Sequence, residues 1–330
     1  MNAAILGLGW WGRTIVDTLR DSKALRIVAG FDPDPAAASV AAAAGFPLAA
    51  DVDDILRDPA IEAVILCTPH SLHADQIVRA AEAGKHVFCE KPLCLTRAEA
   101  AAAIAACQRA GVQLGVGHER RFEPPILELR RIVEAGELGV PLQIEANFSQ
   151  NKFLALPANN WRLSGAEAPA GPMTATGIHL LDLAVSFLGP AESVLTNVRQ
   201  LGSNLVNGDT LAALVTFRSG ANALLTAILA TPFDGRFAVY GSQGWAEVRD
   251  KAHPERSEGW TLTTAIRGRA RSTTEFPPAP AVRANLEAFA VAASGGAGYP
   301  VPPDQMLATI AAFEAVVRSS RSRAIEAVAD

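Results

Sequence analysis

Two short motifs in the first third of the chain carry residue types that can do chemistry. Gly7-Leu8-Gly9-Trp10-Trp11-Gly12 lies between an apolar run and a helical pattern, where glycines allow a tight turn and close approach of the backbone to a pyrophosphate. Glu90-Lys91-Pro92 follows the apolar run 86–89 and places a lysine beside that nucleotide site. Together they indicate a nicotinamide-dependent oxidoreductase.

Asp32 ends the second predicted strand, about 20 residues after the glycine motif, where a carboxylate can accept hydrogen bonds from the adenosine ribose hydroxyls. No arginine follows it, and the carboxylate of Asp34 would repel a 2'-phosphate. The pattern therefore predicts NAD, with NADP the less favoured cofactor. The alternative is an ordinary turn aspartate.

The segment Thr68-Pro69-His70-Ser71-Leu72-His73 follows a predicted strand and therefore lies at the carboxyl end of a sheet, where ligands of open α/β folds bind. Alternatively it only terminates the strand, with His73 as a capping or surface histidine. The predicted cofactor-binding residues are Gly7, Gly9, Trp10, Trp11, Gly12, Asp32, Thr68, Pro69, His70, His73, Glu90 and Lys91.

The scaffold for these motifs follows from hydrophobic periodicity. Continuous apolar runs separated by helical patterns, up to residue 121, predict a parallel sheet covered on both faces. Beyond it, six longer runs between 142 and 249 with short glycine connectors predict a mostly antiparallel sheet with helices on one face. The predicted domains are 1–121 and 122–330, with the C-terminal helices able to pack back on the first domain.

Composition limits the class of protein. The 330 residues are 49% hydrophobic and 19% charged with a net charge of -5, which is typical of a globular enzyme of about two domains. No basic face indicates nucleic-acid binding, and no apolar stretch reaches the roughly 18 residues that span a bilayer. Without a basic segment before the apolar start, a cytoplasmic location is expected. The four cysteines are predicted to be reduced thiols, with no metal site.

These motifs, taken in order along nearly the whole chain, resemble the Gfo/Idh/MocA family, which includes glucose-fructose oxidoreductase, inositol dehydrogenase and many sugar or dihydrodiol dehydrogenases. The resemblance implies an N-terminal Rossmann domain, a doubly wound parallel sheet, followed by an α+β domain with a large, mostly antiparallel open sheet. The exposed face of that sheet implies a homodimer or homotetramer. The remaining matching segments are Gly84-Lys85-His86-Val87, Arg120-Arg121-Phe122, Trp161-Arg162 and Gly177-Ile178-His179-Leu180-Leu181-Asp182.

The resemblance also implies catalytic roles. Lys91 lies beside the nicotinamide and the reacting hydroxyl, where its ammonium stabilises a developing alkoxide. His179 suits general acid/base work because imidazole titrates near neutrality, and it would take the hydroxyl proton during oxidation. Asp182, three residues later on the same helix side, is expected to be structural.

The predicted substrate-binding residues are Arg121, Trp161, Arg162, Thr176 and His179. The alternatives are a salt bridge for Arg121 and domain-junction packing for Trp161, while His118 and Glu119 are further candidates for cofactor or substrate contact. Many relatives carry an aspartate four residues before the histidine, where this chain has Ala175. This departure weakens the expectation of an inositol-type substrate.

The sequence therefore predicts hydride transfer between nicotinamide and a secondary alcohol or ketone of a small sugar, cyclitol or dihydrodiol. Two alternatives stay open. One is an NAD-dependent glycoside hydrolase of the same fold, and the other is a non-catalytic regulator that senses a nucleotide or sugar.

Overall fold

A computed structural model describes residues 1–329, which divide into two compact units. The first unit comprises Met1–Glu119 with Pro280–Leu307, and the second comprises Arg120–Ala279 with the residues from Ala308 onward. The first unit contains a five-stranded parallel sheet of β1 (Asn2–Leu6), β2 (Arg26–Phe31), β3 (Ala63–Leu66), β4 (His86–Cys89) and β5 (Leu114–Val116). The order of the strands in the sheet is β2-β1-β3-β4-β5.

Helices connect these strands as the sequence predicts. The ends of the helix Arg97–Ala110 illustrate why: Thr96 and Glu99 form a capping box at its start, and Gly111 adopts φ +67° after its last turn. The helices are α1 (Trp10–Leu19), α2 (Ala37–Ala44), α3 (Val52–Arg57), α4 (His73–Glu82) and α5 (Arg97–Ala110). The predicted doubly wound fold is confirmed.

The second unit contains the helices α6 (Pro124–Glu134) and α7 (Ile178–Leu188) and a nine-stranded sheet. Its strands are β6 (Pro141–Ser149), β7 (Ala191–Arg199), β8 (Thr210–Phe217), β9 (Asn222–Ile228), β10 (Asp234–Gly241), β11 (Gly244–Asp250), β12 (Trp260–Ile266), β13 (Ser272–Phe276) and β14 (Glu326–Ala327). Their order in the sheet is β13-β12-β11-β10-β6-β9-β8-β7-β14, and among the described residues only β6 and β9 pair in parallel. The predicted large, mostly antiparallel sheet is confirmed.

Three strands, β12, β13 and β14, were not predicted. β13 is polar and almost wholly exposed, and β14 has two residues, so neither shows the alternation that marks a half-buried strand. β12 is rich in threonine and buries only Trp260 and Leu262. Backbone pairing to neighbours distant in sequence, which no local pattern reports, defines these strands.

The chain ends with two helices, α8 (Ala281–Ala293) and α9 (Pro303–Ser322). The buried face of α8 belongs to the core of the first unit, where Leu286 and Phe289 pack with residues such as Ile5 and Phe88. The rings of Phe88 and Phe289 meet edge to face, 5.6 Å apart. Within residues 1–329, no helix combines the length and apolar character that crossing a membrane requires.

Candidate functional site

The strands of the first unit end in one register row. Phe31, Leu6, Leu66, Cys89 and Val116 are paired across the sheet in that order, and each lies at or next to the carboxyl end of its strand. The predicted cofactor residues follow these positions directly. The topology therefore gathers them along one edge, which is where open α/β sheets bind ligands.

The three glycines of the turn after β1 differ in the space that a side chain would have. Gly7 has φ +92°, and a Cβ there would lie 2.6 Å from the Cys67 carbonyl oxygen. A Cβ on Gly12 would lie 2.0 Å from the Gly7 carbonyl oxygen, so the start of α1 packs directly on the turn. A Cβ on Gly9 would meet no protein atom within 4 Å. Gly7 and Gly12 thus serve the fold, whereas the open approach at Gly9 fits a dinucleotide phosphate.

Asp32, which follows β2, binds the backbone of this turn. Its carboxylate accepts hydrogen bonds from the backbone nitrogens of Leu8 at 2.6 Å and Asp34 at 2.8 Å. Each carboxylate oxygen has a further lone pair, so Asp32 can still accept from ribose hydroxyls. Trp10, which is 39% exposed, meets Trp11 edge to face, and Trp11 packs against the core.

His73 joins the ends of two strands. Its side chain is fully buried, with Nδ1 2.9 Å from the Pro92 carbonyl oxygen and Nε2 3.1 Å from the Thr68 carbonyl oxygen. The alternative of a surface histidine is therefore wrong. His70 is partly exposed and lies edge-on to the His73 ring at 5.6 Å. His73 holds the loop that follows Lys91.

Glu90 holds the other side of Lys91. Its buried carboxylate accepts a hydrogen bond from the Lys91 backbone nitrogen at 3.2 Å. The same carboxylate packs on Gly117, where a Cβ would lie 2.5 Å from Oε1. Lys91 itself is partly exposed and is joined to Pro92 by a cis peptide bond. The contacts of Glu90 and His73 hold the backbone on both sides of this lysine.

In the second unit, a π-helical turn at Met173–Gly177 leads into α7, which carries His179. The Ile178 backbone nitrogen donates to the Met173 carbonyl oxygen, and the Thr176 hydroxyl donates to the Phe148 carbonyl oxygen at 2.8 Å. Thr176 thus ties this turn to β6 and has no hydroxyl proton left to donate to a substrate. Such π-turns are frequent at functional sites.

An aromatic cluster that sequence reasoning missed packs against His179. The Phe148 ring lies 5.9 Å from the His179 ring, 6.1 Å from Phe233 and 5.8 Å from His253. Arg120 covers Phe148, with Cζ 5.3 Å from the ring centre. Phe148 ends a predicted strand and could have been placed beside the site, but no local signal marks His253, which lies in the connection between β11 and β12.

Arg121 and Asp182 form a buried ion pair. Two guanidinium nitrogens of Arg121, Nε and Nη2, donate to the two Asp182 carboxylate oxygens at 2.7 and 2.6 Å. Removing one partner of such a pair typically costs about 3 to 5 kcal/mol because the other charge stays buried. The structure favours the salt-bridge alternative for Arg121 over substrate contact. The pair anchors α7 three residues beyond His179.

Ala175 packs against an apolar cluster formed by Phe153, Leu205 and Leu229. A carboxylate at this position would lose hydration without a compensating charge among those side chains. The alanine therefore matches its surroundings.

Trp161 and Arg162 stack on each other, with the guanidinium carbon 4.1 Å from the indole ring centre. The Asn207 amide donates to the Arg162 carbonyl oxygen at 3.0 Å, and the Asn160 side chain accepts from the Arg162 backbone nitrogen. Both side chains are partly exposed. The stack presents a preorganised cation beside an aromatic face.

Three cysteine side chains, those of Cys89, Cys94 and Cys107, are buried. Burial raises the pKa of Cys94 to about 12 and that of Cys107 to about 11, and it raises the pKa of Cys89 as well. These thiols stay protonated near neutral pH. No group of three or more histidine, cysteine or acidic side chains within residues 1–329 is arranged to hold a metal ion.

Comparison with known proteins identifies the family. The model described as "Oxidoreductase family, NAD-binding Rossmann fold" matches residues 1–118, and the model described as "GFO/IDH/MocA C-terminal domain" matches residues 126–247. The scyllo-inositol 2-dehydrogenase (NAD(+)) of Bacillus subtilis is 37% identical over 204 residues, which cover 59% of this chain and 57% of that protein. The D-xylose 1-dehydrogenase (NADP(+)) 2 of Haloferax volcanii is 29% identical over 87% of each chain.

A solved structure titled aldose-aldose oxidoreductase from Caulobacter crescentus complexed with glycerol has a TM-score of 0.86 and 27% identity, and the match covers 99% of both chains. The chain spans 57 to 60% of the length of two of its curated relatives. Both family models match the two halves of the chain in order, and together they cover most of it. The chain therefore belongs to the Gfo/Idh/MocA family of oxidoreductases.

Proposed function

We propose that this protein is an NAD-dependent dehydrogenase or reductase that acts on a secondary alcohol or ketone of a sugar, cyclitol or related small molecule. The observation that carries the proposal is the single row of strand ends, which aligns the glycine turn, Asp32 and Lys91 along one edge of the sheet. The relatives named for inositol and xylose oxidation support the substrate class.

The residues of the first unit bind the cofactor and polarise the reacting oxygen of the substrate. The glycine turn leaves room for a pyrophosphate at the start of α1, and Asp32 accepts hydrogen bonds from the ribose hydroxyls. A bound nicotinamide dinucleotide would supply the acceptor or donor of the hydride. Lys91, held by the backbone contacts of its two neighbours, offers a preorganised ammonium to the oxygen at which negative charge develops.

The second unit supplies the proton handling. His179 takes the proton of the substrate hydroxyl during oxidation and returns it during reduction, with Phe148 packed against its ring. Trp161 and Arg162 contribute an aromatic face and a guanidinium that can bind substrate oxygens. Neither task needs a carboxylate at position 175.

A panel of polyols and sugars, tested with NAD and NADP in parallel at the nicotinamide absorption band, examines the proposal. We expect turnover with NAD to exceed turnover with NADP because Asp34 would repel the 2'-phosphate and no arginine follows Asp32. Asp34→Arg is expected to raise turnover with NADP. A strong NADP preference of the wild type would contradict the cofactor assignment. Sugar release without net NADH would indicate the glycoside hydrolase alternative.

We also propose that the exposed face of the nine-stranded sheet binds a second copy of this chain. Leu195, Leu214 and Leu224 are paired in a row across β7, β8 and β9, and their exposures are 39 to 42%. The row ends beside the charged set of Glu145, Arg236 and Glu247, whose mixed signs can pair with themselves across a two-fold axis.

The oligomeric state tests this interface. Light scattering of the wild type is expected to give a multiple of the chain mass, and Leu214→Arg is expected to give the monomer because it buries an unpaired charge in the interface. Leu201→Arg, at a leucine outside the row that is 76% exposed, is the control for an added surface charge and should keep the wild-type mass. A wild-type monomer at micromolar concentration would rule out the interface.

A further inference from the structure

A chain of hydrogen bonds joins Lys152, His253 and Gln150 next to Phe148. The groups that can only donate determine which atom of each bond accepts. Lys152 Nζ lies 3.1 Å from His253 Nδ1, and the Glu255 backbone nitrogen lies 3.2 Å from the same atom. An ammonium and a backbone N–H can only donate. His253 Nδ1 therefore accepts, and the imidazole proton must be on Nε2.

The position of that proton orients Gln150. His253 Nε2 lies 2.8 Å from Gln150 Oε1, and an N–H there requires the amide oxygen, not the amide nitrogen, to face it. The amide nitrogen of Gln150 therefore points away from His253. Gln150 is 6% exposed, and within residues 1–329 no protein atom accepts a hydrogen bond from that nitrogen.

His253 keeps this neutral form, with its proton on Nε2, near neutral pH. Burial, with the positive charges of Lys152 and Arg120, lowers the pKa of His253 to about 4. The imidazole thus stays neutral and keeps its acceptor at Nδ1. Lys152 also forms an ion pair with Glu255 at 2.6 Å, which holds the ammonium at the start of the chain of hydrogen bonds.

Gln150 lies on the side of β6 that faces His179. Its backbone nitrogen donates to the Ile228 carbonyl oxygen, beyond Asn147 and Thr226, the last paired residues of β6 and β9. Gln150 and Phe148 are two residues apart, so their side chains share one face at a spacing of about 7 Å. A polyhydroxylated ring presents several oxygens over a comparable distance.

We propose that His253 is a positioning residue, which orients the Gln150 amide to donate a hydrogen bond to a second oxygen of the substrate deprotonated by His179. The inference rests on the proposed function and assigns a specificity role to a residue outside the motifs. The ligand chemistry is an uncharged acceptor oxygen, such as a hydroxyl or ring oxygen of a sugar or cyclitol.

The first test needs no turnover, so its failure is separate from a failure of the proposed function. The ¹⁵N resonances of His253, assigned by comparison with His253→Phe, should show protonated Nε2 and unprotonated Nδ1 at neutral pH. The opposite tautomer, or an imidazolium, would overturn the inference because Gln150 would no longer be held by its oxygen.

The second test is kinetic. His253→Phe keeps an aromatic ring against Phe148 and Phe233, so we expect a rise of about 3- to 10-fold in substrate KM with kcat and the KM for NAD unchanged. His253→Gln, whose amide nitrogen can replace Nε2 as donor, should restore part of the loss. Gln150→Leu should raise KM to the same extent, and the double variant should add nothing further. Unchanged KM in His253→Phe, or additive effects, would refute the positioning role.

Discussion

Lys91→Ala is expected to lower turnover by about 10³-fold while cofactor binding is retained. The loss follows from removing a preorganised cation at the oxygen where negative charge develops, an interaction made mainly in the transition state. Cofactor binding should persist because the glycine turn and Asp32 are held by backbone contacts that do not involve the lysine side chain. Steady-state kinetics and NADH titration of the same preparations measure the two quantities.

Two variants sharpen this prediction. Lys91→Arg keeps the charge but replaces a compact ammonium with a planar guanidinium, so an intermediate rate is expected. Lys85→Met is the matched control, since Lys85 is a buried lysine of the same unit that binds the Asp58 and Ile61 carbonyl oxygens. It should lower thermal stability and leave the rate per folded molecule near the wild-type value. Turnover of Lys91→Ala within about tenfold of the wild type would remove the lysine from the mechanism.

His179→Gln is expected to lower kcat by about 10²- to 10⁴-fold, the usual contribution of a general acid/base. In the oxidation direction, the wild-type rate should fall at acid pH because a protonated imidazole cannot accept the hydroxyl proton. The variant should lose this acidic limb of the pH–rate profile. The profile separates a catalytic role from a structural one, because loss of packing against Phe148 would lower the rate at every pH.

His86→Gln is the control for this histidine. His86 lies at the amino end of β4, where Nδ1 accepts from the Gln113 backbone nitrogen at 2.9 Å, so its replacement should leave the acidic limb in place. A His179→Gln enzyme that keeps both its rate and its acidic limb would exclude His179 as the base.

Local sequence patterns were sufficient to predict the fold of the first unit. Its strands are short, mostly apolar runs, and the candidate residues Gly7, Asp32 and Glu90 each follow the last residue of a strand. Because parallel strands run in one direction, the order of elements alone places these ends on the same edge. The prediction of the large second sheet likewise followed from longer runs with partial alternation and short glycine connectors, and in one such strand, β8, the buried face carries Leu211, Ala213 and Val215.

Other features depended on contacts between residues far apart in sequence. His73 lies between the carbonyl oxygens of Thr68 and Pro92, and only the fold shows that this predicted cofactor residue also links the ends of two strands. Arg121 is similar: its sequence position suits substrate contact, but Asp182 occupies two of its nitrogens. Polar side chains of this kind have several energetically similar partners, so sequence cannot select among them.

By itself, the sequence determined the family and the order of the two sheets, and it singled out Lys91 and His179 as candidates, because these follow from short motifs and from hydrophobic periods that each segment carries alone. The tertiary structure decided which donors and acceptors meet. It directed the proton of His253 to Nε2, oriented Gln150 and surrounded Ala175 with apolar side chains. A hydrogen bond depends on distance and direction to within fractions of an ångström, and those are set only when the whole chain packs.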